Sequence, residues 1–269
     1  MKNLIVNADD LGLTSGVTNG IVQAYSRGIV TSTSAIMNKT HISSDLNRTR
    51  QACPRLGIGV HLIITEGQPL LPASEVPSLV DKTGRFLELH HHPEYINRIN
   101  PYELRAEWEA QINAFIALGF KPDHLDSHHH ISYYNPDIFK VMLGLAREFG
   151  LPIRYPPLEF IGVLGKDNVA HWLKDYGVKA PHGCITSFYG EDNAISKEKM
   201  LEIIRAIGEG TYEVMCHPGY ADEELIESSS YNKPREQELA VLTSAEVMEA
   251  VQAEGISLVS FSKLWEPFY

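Results

Sequence analysis

Short apolar or β-branched runs alternate along the chain with longer stretches of helical periodicity, a pattern that predicts a parallel sheet joined by crossover helices. Eight runs read as strands, at residues 4–7, 30–35, 57–63, 124–127, 152–155, 184–188, 212–216 and 257–261. Eight strands with helices between them suit an α/β fold of the β/α-barrel kind, related to the TIM barrel. No long polar linker interrupts the 269 residues, so 1–269 reads as one domain. Two helices are especially clear. Residues 102–118 carry Leu104, Trp108, Ile112 and Phe115 on one face, and residues 243–253 open with Thr243 and Glu246 at capping-box spacing. The stretch 65–101 breaks the alternation: it has mixed polarity, two prolines beside Leu70 and a histidine run at 90–92. It reads as a long loop or small lid.

Charge and cysteine content narrow the function. Acidic residues outnumber basic ones 34 to 23, and the basic residues form no run or stripe, so the chain offers no footprint for a nucleic-acid backbone or an anionic membrane. Cys53, Cys184 and Cys216 are odd in number and widely spaced, which suggests neither a disulfide framework nor a thiolate zinc site. The opening MKNLIVNADD has one apolar stretch, too short for a signal-peptide core or a membrane span, and the protein is read as cytoplasmic.

Candidate chemistry gathers at the C-terminal ends of the predicted strands, where barrel enzymes build their sites. Asp9 and Asp10 end the first strand abruptly, and the turning chain there lets two adjacent carboxylates approach one centre from different angles. One can serve a metal and the other a proton; alternatively, Asp10 or Thr14 caps the helix beginning near Ser15 and Asp9 is solvated. His61 interrupts an apolar run, where a hydrogen-bonded core histidine is the commoner explanation for a lone imidazole. The run from Asp123 to His130 carries more weight. Strand alternation puts Asp126, His128 and His130 on one face and His129 on the other, making His128 the preferred inward ligand and leaving His130 open. An Asp and two His from separate strands form a three-ligand divalent-metal site with positions free for water and substrate. The unligated Asp is then a general base, and His217, at a strand end before Pro218 and Gly219, is the candidate acid unless it only bonds the turn it precedes.

Five motifs in order, NADDLG at 7–12, GVHL at 59–62, LDSHHH at 125–130, MCHPGY at 215–220 and KPREQEL at 233–239, closely resemble the YdjC-like carbohydrate deacetylases, which include the chitooligosaccharide deacetylases. The likeness spans nearly the whole chain. It implies a β/α-barrel-like fold, a divalent metal, a homodimer, and hydrolysis of the acetamido group of an N-acetylglucosamine unit in chitobiose or its phosphate. Position by position it makes Asp9 the base, Asp10, His61 and His128 the metal ligands, and His217 the acid. Arg235 matches a family arginine that approaches the base, where a guanidinium would keep Asp9 ionised. The resemblance puts magnesium first, whereas two imidazoles and one carboxylate suit zinc by ligand preference.

Tyr133, Tyr134, Phe188, Tyr189 and Tyr220 follow the proposed catalytic strand ends and could wall a sugar site. Tyr220 is the one expected at the pocket, because it follows His217 by a tight turn. The stretch 65–101 matches no family motif. Rival functions are a metal-dependent sugar phosphoesterase, which would want cations that the motifs lack, and a carbohydrate-binding protein that has lost turnover. A glycosidase fits less well, since its two acids stand roughly 5 Å or more apart across the sugar, a placement that neighbouring residues do not provide.

Overall fold

A computed structural model describes residues 1–89, 93–190 and 194–265, so the histidines at 90–92 lie outside the described residues. In chain order the elements begin β1 (Lys2–Leu11), α1 (Ser15–Arg27), β2 (Ser32–Ala35), α2 (Ile42–Ala52), β3 (Gly57–Leu62), α3 (Pro101–Ala117), β4 (Leu125–Ser127) and α4 (Pro136–Phe149). They continue with α5 (Leu158–Leu164), α6 (Lys166–Tyr176), β5 (Gly183–Ile185), α7 (Lys197–Ala206), β6 (Gly210–Cys216), α8 (Glu223–Ser228), α9 (Pro234–Leu242), α10 (Ala245–Ala253) and β7 (Ser257–Leu258). The strands are parallel and ordered β4-β3-β2-β1-β6-β5, with β7 added alongside β1. The result is an α/β half-barrel with surrounding helices.

β1 is the central strand and is buried from Leu4 to its end. Its near-continuous apolar run is what a parallel strand covered on both faces requires. The exceptions, Asn7, Asp9 and Asp10, are buried at the C-terminal end. Helix starts are set by local chemistry. Asn100 accepts from Tyr102 N–H ahead of Pro101, and Asn135 accepts from Asp137 and Ile138 N–H ahead of Pro136. In both, a capping amide precedes a proline whose missing N–H costs nothing in a first turn.

Three expectations change. The predicted strand at 152–155 is reduced to a single parallel bridge between Leu125 and Ile153, because Pro152 has no N–H to offer and Pro156 and Pro157 follow directly. The runs at 184–188 and 257–261 shorten to β5 and β7. The capping box at Thr243 does not form: Thr243 ends α9, and its hydroxyl donates back to the Leu239 carbonyl, leaving Ser244 at the start of α10 without a side-chain cap.

The 65–101 excursion is a packed loop. It buries Val76, Leu79, Phe86 and Ile96, and Val80 bridges Phe86 in antiparallel fashion. Its root is held by two buried polar residues one turn apart on α3. Gln111 exchanges two hydrogen bonds with the backbone of Ile63, and Glu107 accepts from Leu70 and Leu71 N–H. Among the described residues no helix is long and apolar enough to cross a membrane.

The turn after β6 packs directly on α1, and two glycines permit it. A Cβ on Gly20 would lie 2.4 Å from Gly219 Cα, and one on Gly16 2.3 Å from the Tyr220 carbonyl oxygen. Gly20→Ala should therefore destabilise the protein by about 1–3 kcal/mol in denaturant unfolding, because backbone must move to admit the methyl. Gly144→Ala, in α4 with no neighbour nearer than 3.8 Å, should instead stabilise by up to about 1 kcal/mol through helix propensity. Equal effects at the two positions would refute the close-approach argument.

Candidate active site

At the end of β1 the two carboxylates part. Thr14 caps α1 by accepting from Val17 N–H, so Asp10 is free of that duty. Asp10 has φ of 73°, in the left-handed region that Asp tolerates better than most residues. Its Oδ2 accepts from the Arg235 guanidinium at 2.7 Å. Its Oδ1 faces His61 Nε2 at 3.4 Å and His128 Nδ1 at 3.0 Å, yet makes no hydrogen bond among the described residues. Three ligand atoms thus lie within 4.8 Å of one another, all on buried residues. A buried carboxylate oxygen without a partner beside two imidazole nitrogens fits a divalent cation.

A carboxylate stands behind each imidazole, hydrogen-bonded at His61 and more distant at His128. Asp126 Oδ1 lies 2.8 Å from His61 Nδ1, and Ser34 donates to Asp126 Oδ2. Glu66, at the root of the excursion and paired with Lys39, stands 3.7 Å from His128 Nε2. Such partners fix which ring nitrogen is left for a metal. Burial pulls the His61 pKa down, but Asp126 and Asp10 prevail and push it up to about 10. A cation held at this ring would have to displace that proton.

Asp9, only 2% exposed, is gripped by Arg154: Nη1 meets Oδ2 at 2.8 Å and Nη2 meets Oδ1 at 2.6 Å. Burial would raise the Asp9 pKa, but this fork holds it below the usual carboxylate value. Arg154 is fully buried and also reaches Asp126 and Glu213. Asp9, His61 and Asp126 form a second group within metal-ligand range, but its charge is already met by that guanidinium. Arg235, expected on the base, instead pairs with Asp10. It stands at the start of α9, anchored by Nε donating to the Tyr231 carbonyl.

His217 ends β6 with Nε2 3.9 Å from Asp9 Oδ2. Its backbone N–H donates to Glu238, and the following turn is held by Gly219 N–H on the Arg235 carbonyl. Burial drives the His217 pKa down to about 4 despite the pull of Asp9 and Asp10. A cavity of about 310 Å³ opens over Asp9, Asp10, His61, His128 and His217. Its walls include Tyr134, Phe160, Tyr189 and Tyr231.

Tyr220 is not among the lining residues. Gly16 and Gly20 let its turn fold down onto α1, where its hydroxyl donates to Gln23 and the side chain is 39% exposed. Tyr133 and Phe188 are fully buried core. His130 lines the cavity, but not by strand alternation: β4 stops at Ser127, and His129 and His130 both adopt φ of 54°. Sequence reasoning missed Arg154, Glu66, Tyr231 and Glu238. Arg154 left a signal as a cation inside an apolar run, and Glu238 lies within the KPREQEL motif, which pointed to Arg235 alone.

A profile of the YdjC-like protein family matches residues 3–253. A carbohydrate deacetylase from Enterococcus faecalis is 39% identical, with 98% of each chain aligned, and a chitooligosaccharide deacetylase from Salmonella paratyphi B is 36% identical over 96% of this chain and 97% of its own. A solved Enterococcus faecalis structure, provisionally named as a cellobiose-phosphate cleavage protein, superposes with a TM-score of 0.88 at 39% identity, covering 98% of both chains. A family 4 carbohydrate esterase from Streptomyces lividans, 10% identical, shares the fold with a TM-score of 0.53 over 96% of this chain and 91% of its own. Matched over nearly its whole length by the profile and by relatives above 30% identity, the chain belongs to the YdjC-like family.

Proposed function

We propose that the protein is a metal-dependent carbohydrate deacetylase, hydrolysing the N-acetyl group of an N-acetylglucosamine unit in a short chitin-type oligosaccharide. The observation that carries this reading is one cavity holding Asp10, His61 and His128 as a buried three-ligand set with an unligated, arginine-held carboxylate, Asp9, beside it. The names of the relatives support a sugar as substrate.

Asp10 Oδ1, His61 Nε2 and His128 Nδ1 would hold the cation, which when bound supplies a Lewis acid for the acetyl carbonyl and lowers the pKa of water. Asp9 accepts the proton of the attacking water, and Arg154 keeps it ionised and aimed. His217 protonates the departing amine, so that acetate and the free amino sugar leave. Leu13 and Met215 give the cavity an apolar patch suited to the acetyl methyl, while the aromatic walls suit the apolar face of a pyranose. Both guanidiniums at the site are paired to carboxylates, which leaves a phosphoesterase reading with less support.

Protein reconstituted with magnesium or with zinc should release acetate from diacetylchitobiose or its phosphate, with loss of one acetyl mass, and EDTA should abolish the release. No acetate with either sugar under either metal would reject the reading. Asp9→Asn should lower kcat by about 10²–10⁴-fold while metal still binds by calorimetry; Asp10→Asn should lose the metal itself. Unchanged turnover in Asp9→Asn would remove it as the base.

The depressed Asp9 pKa gives a pH test. With its folded pKa below the unfolded one, the carboxylate is ionised throughout the neutral range, and its contribution to stability is lost only as pH falls through the folded value. In Arg154→Gln, burial is no longer opposed, so the acid limb of kcat/KM should move to higher pH. Stability should fall by about 3–5 kcal/mol as buried carboxylates lose their partner. An acid limb that stays in place would separate Asp9 from that limb.

A further inference from the structure

Glu238 is a fully buried carboxyl on α9 that the steps above do not use. One oxygen accepts the backbone N–H of His217, and the other accepts the hydroxyl of Tyr231. The latter oxygen lies 3.8 Å from His217 Nδ1, a buried nitrogen that has no hydrogen-bond partner among the described residues. This gap is about 0.6 Å beyond the roughly 3.2 Å reach of a hydrogen bond, and catalytic contacts of this kind often tighten only in the substrate complex. The imidazole therefore stands between two carboxyls, with Nε2 toward Asp9 and Nδ1 toward Glu238.

We propose that Glu238 is a positioning residue and proton store behind His217, supplying through Nδ1 the proton that Nε2 delivers to the leaving amine. The inference rests on the deacetylase reading for the identity of that amine. The step balances as follows: the C–N bond of the amide breaks as the water oxygen bonds to the acyl carbon, and Asp9 takes the proton of that water. Nitrogen gains the Nε2 proton of His217, and Nδ1 gains the carboxyl proton of Glu238. The site resets when Asp9 returns one proton to solvent, Glu238 regains one, and His217 resumes its Nε2–H tautomer.

The electrostatics agree with this placement. Burial pushes the Glu238 pKa up to about 8, although His217 N–H, Tyr231 and Arg235 oppose it, while burial drives His217 down to about 4. At neutral pH the shared proton then sits on the carboxyl, and an isolated imidazole in this position would carry little of it. Among the described residues the groups facing His217 are Asp9 and Asp10 from β1, Arg154 from the 152–155 segment, His130 after β4, Tyr189 after β5, Tyr231, and Arg235 with Glu238 from α9. Those facing Glu238 are His217, Tyr231, Arg235, Asp9, Tyr189 and Cys216.

Two variants of the metal-loaded protein, assayed with diacetylchitobiose across pH, test the proposal. Glu238→Gln should lower kcat at pH 7 by about 100-fold with KM and metal affinity unchanged, and its alkaline limb should move down by more than one pH unit. Tyr231→Phe removes a hydrogen bond that favours the ionised carboxylate, so its alkaline limb should move up. A wild-type limb in folded Glu238→Gln, or no upward shift in Tyr231→Phe, would overturn the proposal while leaving the deacetylase reading intact.

Imidazole nitrogen shifts by NMR read the same pair without turnover. His217 in the zinc-loaded wild type should be the neutral Nε2–H tautomer at pH 7 and should sense a titration near pH 8 that Glu238→Gln abolishes. An Nδ1–H tautomer, or no such titration, would overturn the proposal even if no sugar is ever turned over.

Discussion

One buried guanidinium organises the centre of this molecule. Arg154 touches Asp9, Asp126 and Glu213, which come from three different strands, and none of these side chains has meaningful contact with solvent. Three carboxyl groups in a low-dielectric interior repel one another strongly unless a cation is shared among them. The sharing is unequal. Asp9 receives the two-pronged contact and stays ionised, whereas Glu213, for which burial outweighs the same cation, is pushed up to about 6. Arg154 thereby ties β1, β4 and β6 together at the level of the cavity floor.

Two adjacent aspartates acquire different chemistry because a different arginine reaches each. Arg154 contacts both oxygens of Asp9, while Arg235 takes only Oδ2 of Asp10 and leaves Oδ1 to face the imidazoles. The left-handed backbone at Asp10 makes the division possible, since it redirects the second side chain where a continuing strand would point it to the opposite face. Helix α1 begins only after Thr14 has satisfied its first turn, so neither aspartate is diverted to capping.

Behind His61, His128 and His217 stands a carboxyl group in each case. Asp126 serves His61, Glu66 approaches His128, and Glu238 lies behind His217. Their origins differ: a strand, the root of the excursion, and a helix near the C-terminal end. The excursion is thus part of the site's construction, and Glu107 and Gln111 of α3 fix its root through the backbone of Ile63, Leu70 and Leu71.

Much of this was legible in the residues alone. Apolar periodicity located the strands that form the sheet and the helix at 101–117, because burial on both faces of a parallel sheet leaves a local, repeating mark. Asp9, Asp10, His61, His128 and His217 stood out as polar residues ending apolar runs, and the structure gathers all five around one cavity. Tertiary structure alone decided how they are partnered. Arg154 bonds Asp9 across 145 residues and Arg235 bonds Asp10 across 225, and nothing in a local pattern says which guanidinium reaches which carboxylate. Tyr220 likewise looked adjacent to the site by sequence but is drawn onto α1 by two glycines whose missing side chains matter only once helix and turn meet. Periodicity records burial, a property each segment carries by itself; partnership depends on distances between segments, which exist only in the folded chain.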